Sequence, residues 1–181
     1  MNTIIIYKGK YGATRQYAKL LAQTLNTTSV DASVTDDAML RSANIVIAGS
    51  AIYIGRLMIS AWLHKHKAIL EQKQLHLFVV CGTPLSDQQA IKTLIDRNIP
   101  AELRHNLSLF FLKGRMIKEK LSFKDRLLLR MGAAFTKDPK AKNNMLRNFD
   151  EVKAAHLTPI ILAVKSSITE PSEHTPNMKD H

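Results

Sequence analysis

Only one cysteine, Cys81, occurs in the chain, so an internal disulfide framework is excluded and a reducing compartment, the cytoplasm, is expected. Long apolar runs are missing as well. No stretch approaches the roughly 20 residues that a bilayer-spanning helix needs. The N-terminal apolar run is too short, and has no basic segment before it, for a secretory leader. Acidic residues are scarce beside basic ones, 15 against 26, which leaves a net charge of +11. A field of that sign favours anionic partners without naming one. Neither G-x-x-x-x-G-K-[ST] nor G-x-G-x-x-G is present, so the P-loop and dinucleotide fingerprints are both absent. The histidines lack ligand spacing. His64 and His66, two apart on an expected helix, point in different directions, and no metal site is expected. The charge comes without a recognition motif or a basic-aromatic platform, so nucleic acid is not an expected partner.

What is present is an alternation of strands and helices. Thr3 to Tyr7, Ile45 to Gly49, Leu75 to Cys81 and Leu107 to Leu112 read as strands apolar on both faces, with a shorter strand around Ser29 to Ala32. Between them lie helical patterns. Tyr17, Ala18, Leu21, Ala22 and Leu25 share one face, and Thr35 is the expected N-cap of a helix over Asp36 to Arg41. A helix from about Leu57 to Gln72 buries Ile59, Trp62, Leu63 and Leu70. Another, opened by an S-x-x-Q capping box at Ser86 to Gln89, buries Ile91, Leu94 and Ile95. The last helix begins at Thr158, with Pro159 at its first position. The fold class is α/β: a five-stranded parallel sheet in the order 2-1-3-4-5, with helices on both faces.

One segment breaks this rhythm. Residues 113–148 stand where a short loop is expected, and carry 11 basic and three acidic residues, +8 of the net charge. Within it Ser122 to Asp125 looks like a helix start. Phe123, Leu127, Leu128, Met131 and Phe135 then share a face, opposite Lys124, Arg126 and Arg130. That face is expected to dock on its own domain, with the basic side chains as a solvated exterior. The domain is expected to span 1–167, with 113–148 as a basic helical insertion and 168–181 as a disordered tail.

The first strand runs into Lys8-Gly9-Lys10-Tyr11-Gly12-Ala13-Thr14. In the proposed sheet order this turn lies beyond the strand ends, where ligands bind. The helix after it offers free N–H groups and a partial positive charge. Gly9 and Gly12 let a phosphate approach the main chain, Lys8 and Lys10 add charge, and Thr14 adds a hydroxyl. Together these residues describe a phosphate cradle.

The cradle resembles the flavodoxin loop, [ST]-x-[ST]-G-x-[ST], which wraps the terminal phosphate of FMN. Gly12 and Thr14 fit it, while Gly9 and Tyr11 replace two of its hydroxyl residues. "IIIYKGKYGATRQYAKLLA" and "AGSAIYIGRL" together resemble the flavodoxin-domain group that includes menaquinone-dependent protoporphyrinogen dehydrogenases. That group carries an extra segment before the last helix, and "KLSFKDRLLLRM" is similar to part of it.

The resemblance implies a flavodoxin-like fold and FMN as cofactor. Its phosphate would lie on Lys8 to Thr14, and its ring between Ser50-Ala51-Ile52-Tyr53-Ile54-Gly55 and Cys81-Gly82-Thr83-Pro84. Tyr53 is the residue expected to stack on or shield the ring, and Gly82 and Thr83 to reach its pyrimidine edge. Cys81 is expected to be a buried strand-end residue and not a redox thiol. The function implied is electron transfer or flavin-dependent oxidoreduction, with an anionic substrate or a quinone as reactant and no catalytic residue singled out. The basic segment implies peripheral contact with the inner face of the membrane. The competing reading is a flavin-free module of the same fold that binds through its basic surface. A phospho-receiver of this strand order needs an aspartate where Ala48-Gly49-Ser50 stands, and is excluded.

Overall fold

Short β-branched runs become parallel strands here because both of their faces are covered. The computed structural model describes residues 1–82, 88–136 and 138–169. In chain order the elements are β1 (Thr3–Lys8), α1 (Ala13–Leu25), β2 (Thr28–Asp31), α2 (Asp37–Ser42), β3 (Ile45–Tyr53), β4 (Arg56–Leu57), α3 (Ser60–Lys65), α4 (Lys67–Leu70), β5 (Gln74–Cys81), α5 (Gln88–Asn98), β6 (Leu107–Lys113), β7 (Arg115–Met116), α6 (Phe123–Phe135), α7 (Pro139–Leu146), β8 (Phe149–Asp150) and α8 (Thr158–Thr169). The five long strands run parallel in the order β2-β1-β3-β5-β6, which is the expected 2-1-3-4-5.

Alternate residues of each strand feed two separate cores. Ile4, Ile6, Val46, Ala48, Leu75, Leu77 and Val79 face Leu40 of α2, Trp62 and Leu63 of α3, Leu70 of α4 and Leu94 of α5. Ile5, Ile45, Ile47, Phe78, Val80 and Leu112 face Tyr17, Ala18 and Leu21 of α1 and Ile160 and Val164 of α8. Each fully buried aliphatic or aromatic side chain contributes about 1.5–3 kcal/mol, so the three-layer arrangement follows from the apolar runs.

Several boundaries differ from the sequence reading. Asp36, not Thr35, caps α2, accepting a hydrogen bond from Met39 N at 2.8 Å. The stretch expected as one helix from Leu57 starts later and is interrupted at His66, because Leu57 is taken by β4. The Ser50–Gly55 segment, expected as a loop, is strand as far as Tyr53. It then turns at Ile54 and Gly55, with φ of 50° and 68°, and pairs back antiparallel through Arg56 and Leu57. Positive φ at both central residues is the hairpin geometry that matches strand twist. Ser86, which opens the expected capping box, and the tail from residue 170 onward lie outside the described residues; Ile168 and Thr169 belong to α8.

After β6 the chain leaves the sheet. β7 and β8 pair antiparallel and close the base of this excursion, which carries α6 and α7. Ser122 caps α6, accepting from Asp125 N at 3.2 Å. The face of α6 turned to the protein is Asp125, Leu129 and Ala133, spaced four apart. The apolar face expected to dock on the domain is exposed instead: Phe123 is 81% exposed and Phe135 82%. The reason lies in Asp125, whose polar partners on the domain turn that side of the helix inward.

Candidate functional site

β1 and β3 are neighbours in the sheet but their connections run to opposite sides, and the crevice beyond their carboxyl ends is the topological switch point. Three segments distant in sequence meet there. Lys10, Tyr11, Ala13 and Thr14 follow β1; Ala51, Ile52 and Tyr53 end β3; Cys81 and Gly82 end β5. All of them line one cavity of about 110 Å³, together with Gly114 and Arg115. A larger cavity of about 1030 Å³ adjoins it and shares Tyr11, Ile52, Tyr53, Gly82 and Arg115. Its outer wall comes from the excursion, through Leu121, Asp125, Leu129, Arg147 and Phe149. A 380 Å³ depression at the amino ends of β1 and β2, around Asn2, Thr28 and Ser42, has no ionisable side chain in its lining.

The β1 turn is built for a close approach. A Cβ on Gly9 would stand 2.6 Å from Thr14 Oγ1, so only glycine fits there unless Thr14 moves. Gly12 has φ of 87° and occupies the N-cap of α1, a conformation costly for any other L-residue except asparagine or aspartate. Among the described residues no side chain caps α1, and its first turn contains no acid. The first helical hydrogen bond is Gln16 N to Gly12 O at 2.9 Å. The N–H groups ahead of it therefore face the crevice end without intrahelical acceptors. An uncapped, acid-free helix start beside Lys10 suits a phosphate dianion.

Not every expected residue reaches the crevice. Lys8 turns to β2, where Nζ bonds Asp31 Oδ1 at 2.9 Å. Ser50 is buried, and its Oγ donates to Ala51 O at 2.9 Å and accepts from Ile59 N at 3.3 Å. Gly9 and Gly55 shape the turns without lining either cavity. Ile54 lines the larger cavity at its rim. Thr83 and Pro84 lie outside the described residues.

Sequence reasoning missed the centre of the polar arrangement. Asp125 of α6 is 8% exposed and reaches down to the crevice. One of its oxygens, Oδ1, accepts from Tyr53 Oη at 2.6 Å. The other, Oδ2, accepts from Tyr11 Oη and pairs with Lys10 Nζ at 2.6 Å. Lys10 Nζ also stands 4.1 Å from the centroid of the Tyr53 ring, a cation–π distance. Burial would push the Asp125 carboxyl up, but Lys10 and the two phenols outweigh it and hold it down at about 2. Donation to the Asp125 carboxylate, and to the Tyr53 hydroxyl oxygen, raises the Lys10 ammonium above its usual value. Asp125 is ionised, and Lys10 cationic, throughout the physiological range. Arg115, also missed, pairs with Asp150 Oδ2 and bonds Gln16 Oε1, each at 2.7 Å. Arg115 and Asp150 lie in two-residue strands, too short for periodicity to mark.

Among the described residues no three His, Cys, Asp or Glu side chains group as a metal site, and no helix is long and apolar enough to cross a membrane. The family model of the flavodoxin domain matches residues 4–143. Among solved structures, a flavodoxin from the domain Archaea is 14% identical over 71% of this chain and 90% of its own, with a TM-score of 0.43. The Trp repressor binding protein from Bacillus subtilis is 16% identical over 62% and 83%, at 0.45. Flavodoxin 2 from Bacillus cereus is 16% identical over 62% and 83%, at 0.40. No curated protein matches the chain.

Proposed function

The chain belongs to the flavodoxin-domain family, and on that premise we propose that it binds FMN at the crevice and serves as a flavin-dependent redox protein. One observation carries the reading: the turn after β1 and the carboxyl ends of β3 and β5 line a single cavity at the switch point, beside an uncapped helix start and a lysine. The residues present fit the cofactor. Lys10 and the N–H groups that open α1 would hold its phosphate, with the Thr14 hydroxyl beside them. Ile52, Tyr53 and Gly82 would wall its ring, and Ile54 would keep water from the rim. When bound, the flavin supplies the redox chemistry, and the protein tunes its potential and access. With a net charge of +11, the surroundings favour an anionic reduced flavin, and the midpoint is expected above that of free FMN.

Within the family, the motifs after β1 and in β3, with the excursion between β6 and α8, support the branch of menaquinone-dependent protoporphyrinogen dehydrogenases. The larger cavity supplies room beside the flavin for a reactant, apolar at Leu129 and Phe149 and cationic at Arg147, while its acidic lining residues Asp125, Asp150 and Glu151 are each paired with a cation, Lys10, Arg115 and Lys113. A quinone suits the apolar part of that lining, and an anionic group the Arg147 end. The absorbance spectrum of purified protein, with and without added FMN, tests the reading. Flavin bands that shift on mixing and co-elute with the protein are expected. A colourless protein whose mixture with FMN separates completely sinks it. That result would support a flavin-free module, which one observation favours: Asp125 already neutralises Lys10.

A further inference from the structure

The face that α6 turns away from the protein is apolar along its centre. Phe123, Leu127, Met131 and Phe135 follow one another at intervals of four, and are 81%, 50%, 49% and 82% exposed. Helices of soluble domains normally bury such a stripe. Here the inward side is Asp125, Leu129 and Ala133, held by the contacts of Asp125 with Lys10, Tyr11 and Tyr53. The exposed stripe thus results from how the helix is tethered.

Basic residues frame it. Arg126 and Arg130 run along one side, and Lys124 stands on the other beside Leu128. None of the three forms a salt bridge among the described residues. The only acid of the helix, Asp125, points inward. A helix of 13 residues is about 20 Å long, too short to cross a bilayer but long enough to lie in its interface. There its apolar side chains sink below the headgroups while Lys and Arg reach the phosphates.

We infer that the outward face of α6 docks on an anionic lipid surface. Charge decides between the occupants. Two copies meeting through this face would bring Lys124, Arg126 and Arg130 of each against the same residues of the other, a like-charge contact. A nucleic acid would meet the cations but leave Phe123 and Phe135 without a role. An anionic interface satisfies both the cations and the apolar stripe.

Cosedimentation with phosphatidylcholine vesicles, plain or doped with phosphatidylglycerol, tests this at low and high salt. Binding is expected only to the doped vesicles, and to weaken with salt. The Phe123→Ser/Phe135→Ser variant should bind them about tenfold or more weakly with its melting temperature unchanged, since both side chains are exposed. Arg126→Gln/Arg130→Gln should lose roughly fivefold per charge at low salt. Absence of vesicle binding, equal binding to plain vesicles, or full binding by the double-serine variant would overturn the inference. So would a wild-type dimer that the double-serine variant converts to monomer, or retention on DNA without retention on vesicles. Flavin plays no part in this measurement. A colourless protein that sediments with the doped vesicles would sink the cofactor reading and leave this inference standing.

Discussion

Tyr53 Oη donates a 2.6 Å hydrogen bond to Asp125 Oδ1 across 72 residues of chain, joining the end of β3 to the insertion helix. With Lys10 and Tyr11 on the other carboxylate oxygen, this places a fixed negative charge beside the helix start that suits a phosphate. Asp125→Asn keeps the shape and removes the charge. Lys10 is then free for a second anion, and FMN is expected to bind three- to tenfold more tightly, in line with about 1 kcal/mol for a charge pair that solvent still screens on the lysine side. Flavin-fluorescence titration of both proteins checks it. Weaker binding by the variant would show that Asp125 positions Lys10 for the cofactor and does not compete with it.

Tyr17 ties α1 to both ends of the excursion. Its hydroxyl donates to Lys113 O at 2.8 Å and accepts from Lys153 N at 3.3 Å, with His156 Nδ1 at 3.0 Å. The ring is fully buried, and burial raises the phenol above its usual value. Tyr17→Phe preserves the packing and leaves the Lys113 carbonyl and Lys153 N–H without this partner. The expected loss is about 1–3 kcal/mol in urea unfolding. Amides of β7 and β8 should exchange faster than those of β1. A uniform change across the chain would mean that the hydroxyl supports the whole fold and not the base of the excursion.

The strands were legible because burial on both faces removes polar residues from them: Ile4-Ile5-Ile6 and Leu75 to Val80 announce a covered parallel sheet, apart from His76. The β1 turn was legible because glycine is required where a Cβ would strike Thr14. The hairpin after β3 was not, since Ile-Gly stands where Asn-Gly would signal such a turn. The direction of α6 was equally hidden. Periodicity marks an apolar face but not where it points. That is decided by Lys10 and Tyr11, more than 100 residues earlier in the chain, whose link to Asp125 leaves no local trace.

His76 gives the fold a pH dependence in the mildly acidic range. It is 4% exposed within β5, and among the described residues Nδ1 has no hydrogen-bond partner. Burial lowers its pKa below the ordinary 6.5. The unfolded chain therefore takes up a proton near 6.5 that the folded chain refuses. Stability from this residue is complete above that value and falls as pH drops below it. His76→Leu removes both the titration and the unpaired nitrogen. It should raise stability by about 1 kcal/mol at neutral pH and flatten the profile between pH 7 and 5. Urea midpoints at both pH values check this, and an unchanged slope would assign the acid sensitivity to other groups.

Ile54 holds a φ of 50° at the tip of the β3–β4 hairpin, 69% exposed on the rim of the larger cavity. A β-branched side chain is poorly suited to the left-handed region, which costs an L-residue roughly 1–2 kcal/mol. Asparagine tolerates that conformation, and before Gly55 it completes the favoured pair for this turn. Ile54→Asn is therefore expected to stabilise the protein by about 1 kcal/mol, raising the melting temperature by about 2–4 °C for a domain of this size. Ile54→Ala separates the causes, since alanine removes the exposed apolar surface but keeps most of the backbone cost. Equal stabilisation by both variants would rule out backbone strain as the source. If only asparagine stabilises, the isoleucine is held at a cost to the fold. Its worth then has to lie in the apolar cover it gives the cavity, and Ile54→Asn should bind FMN more weakly while melting higher.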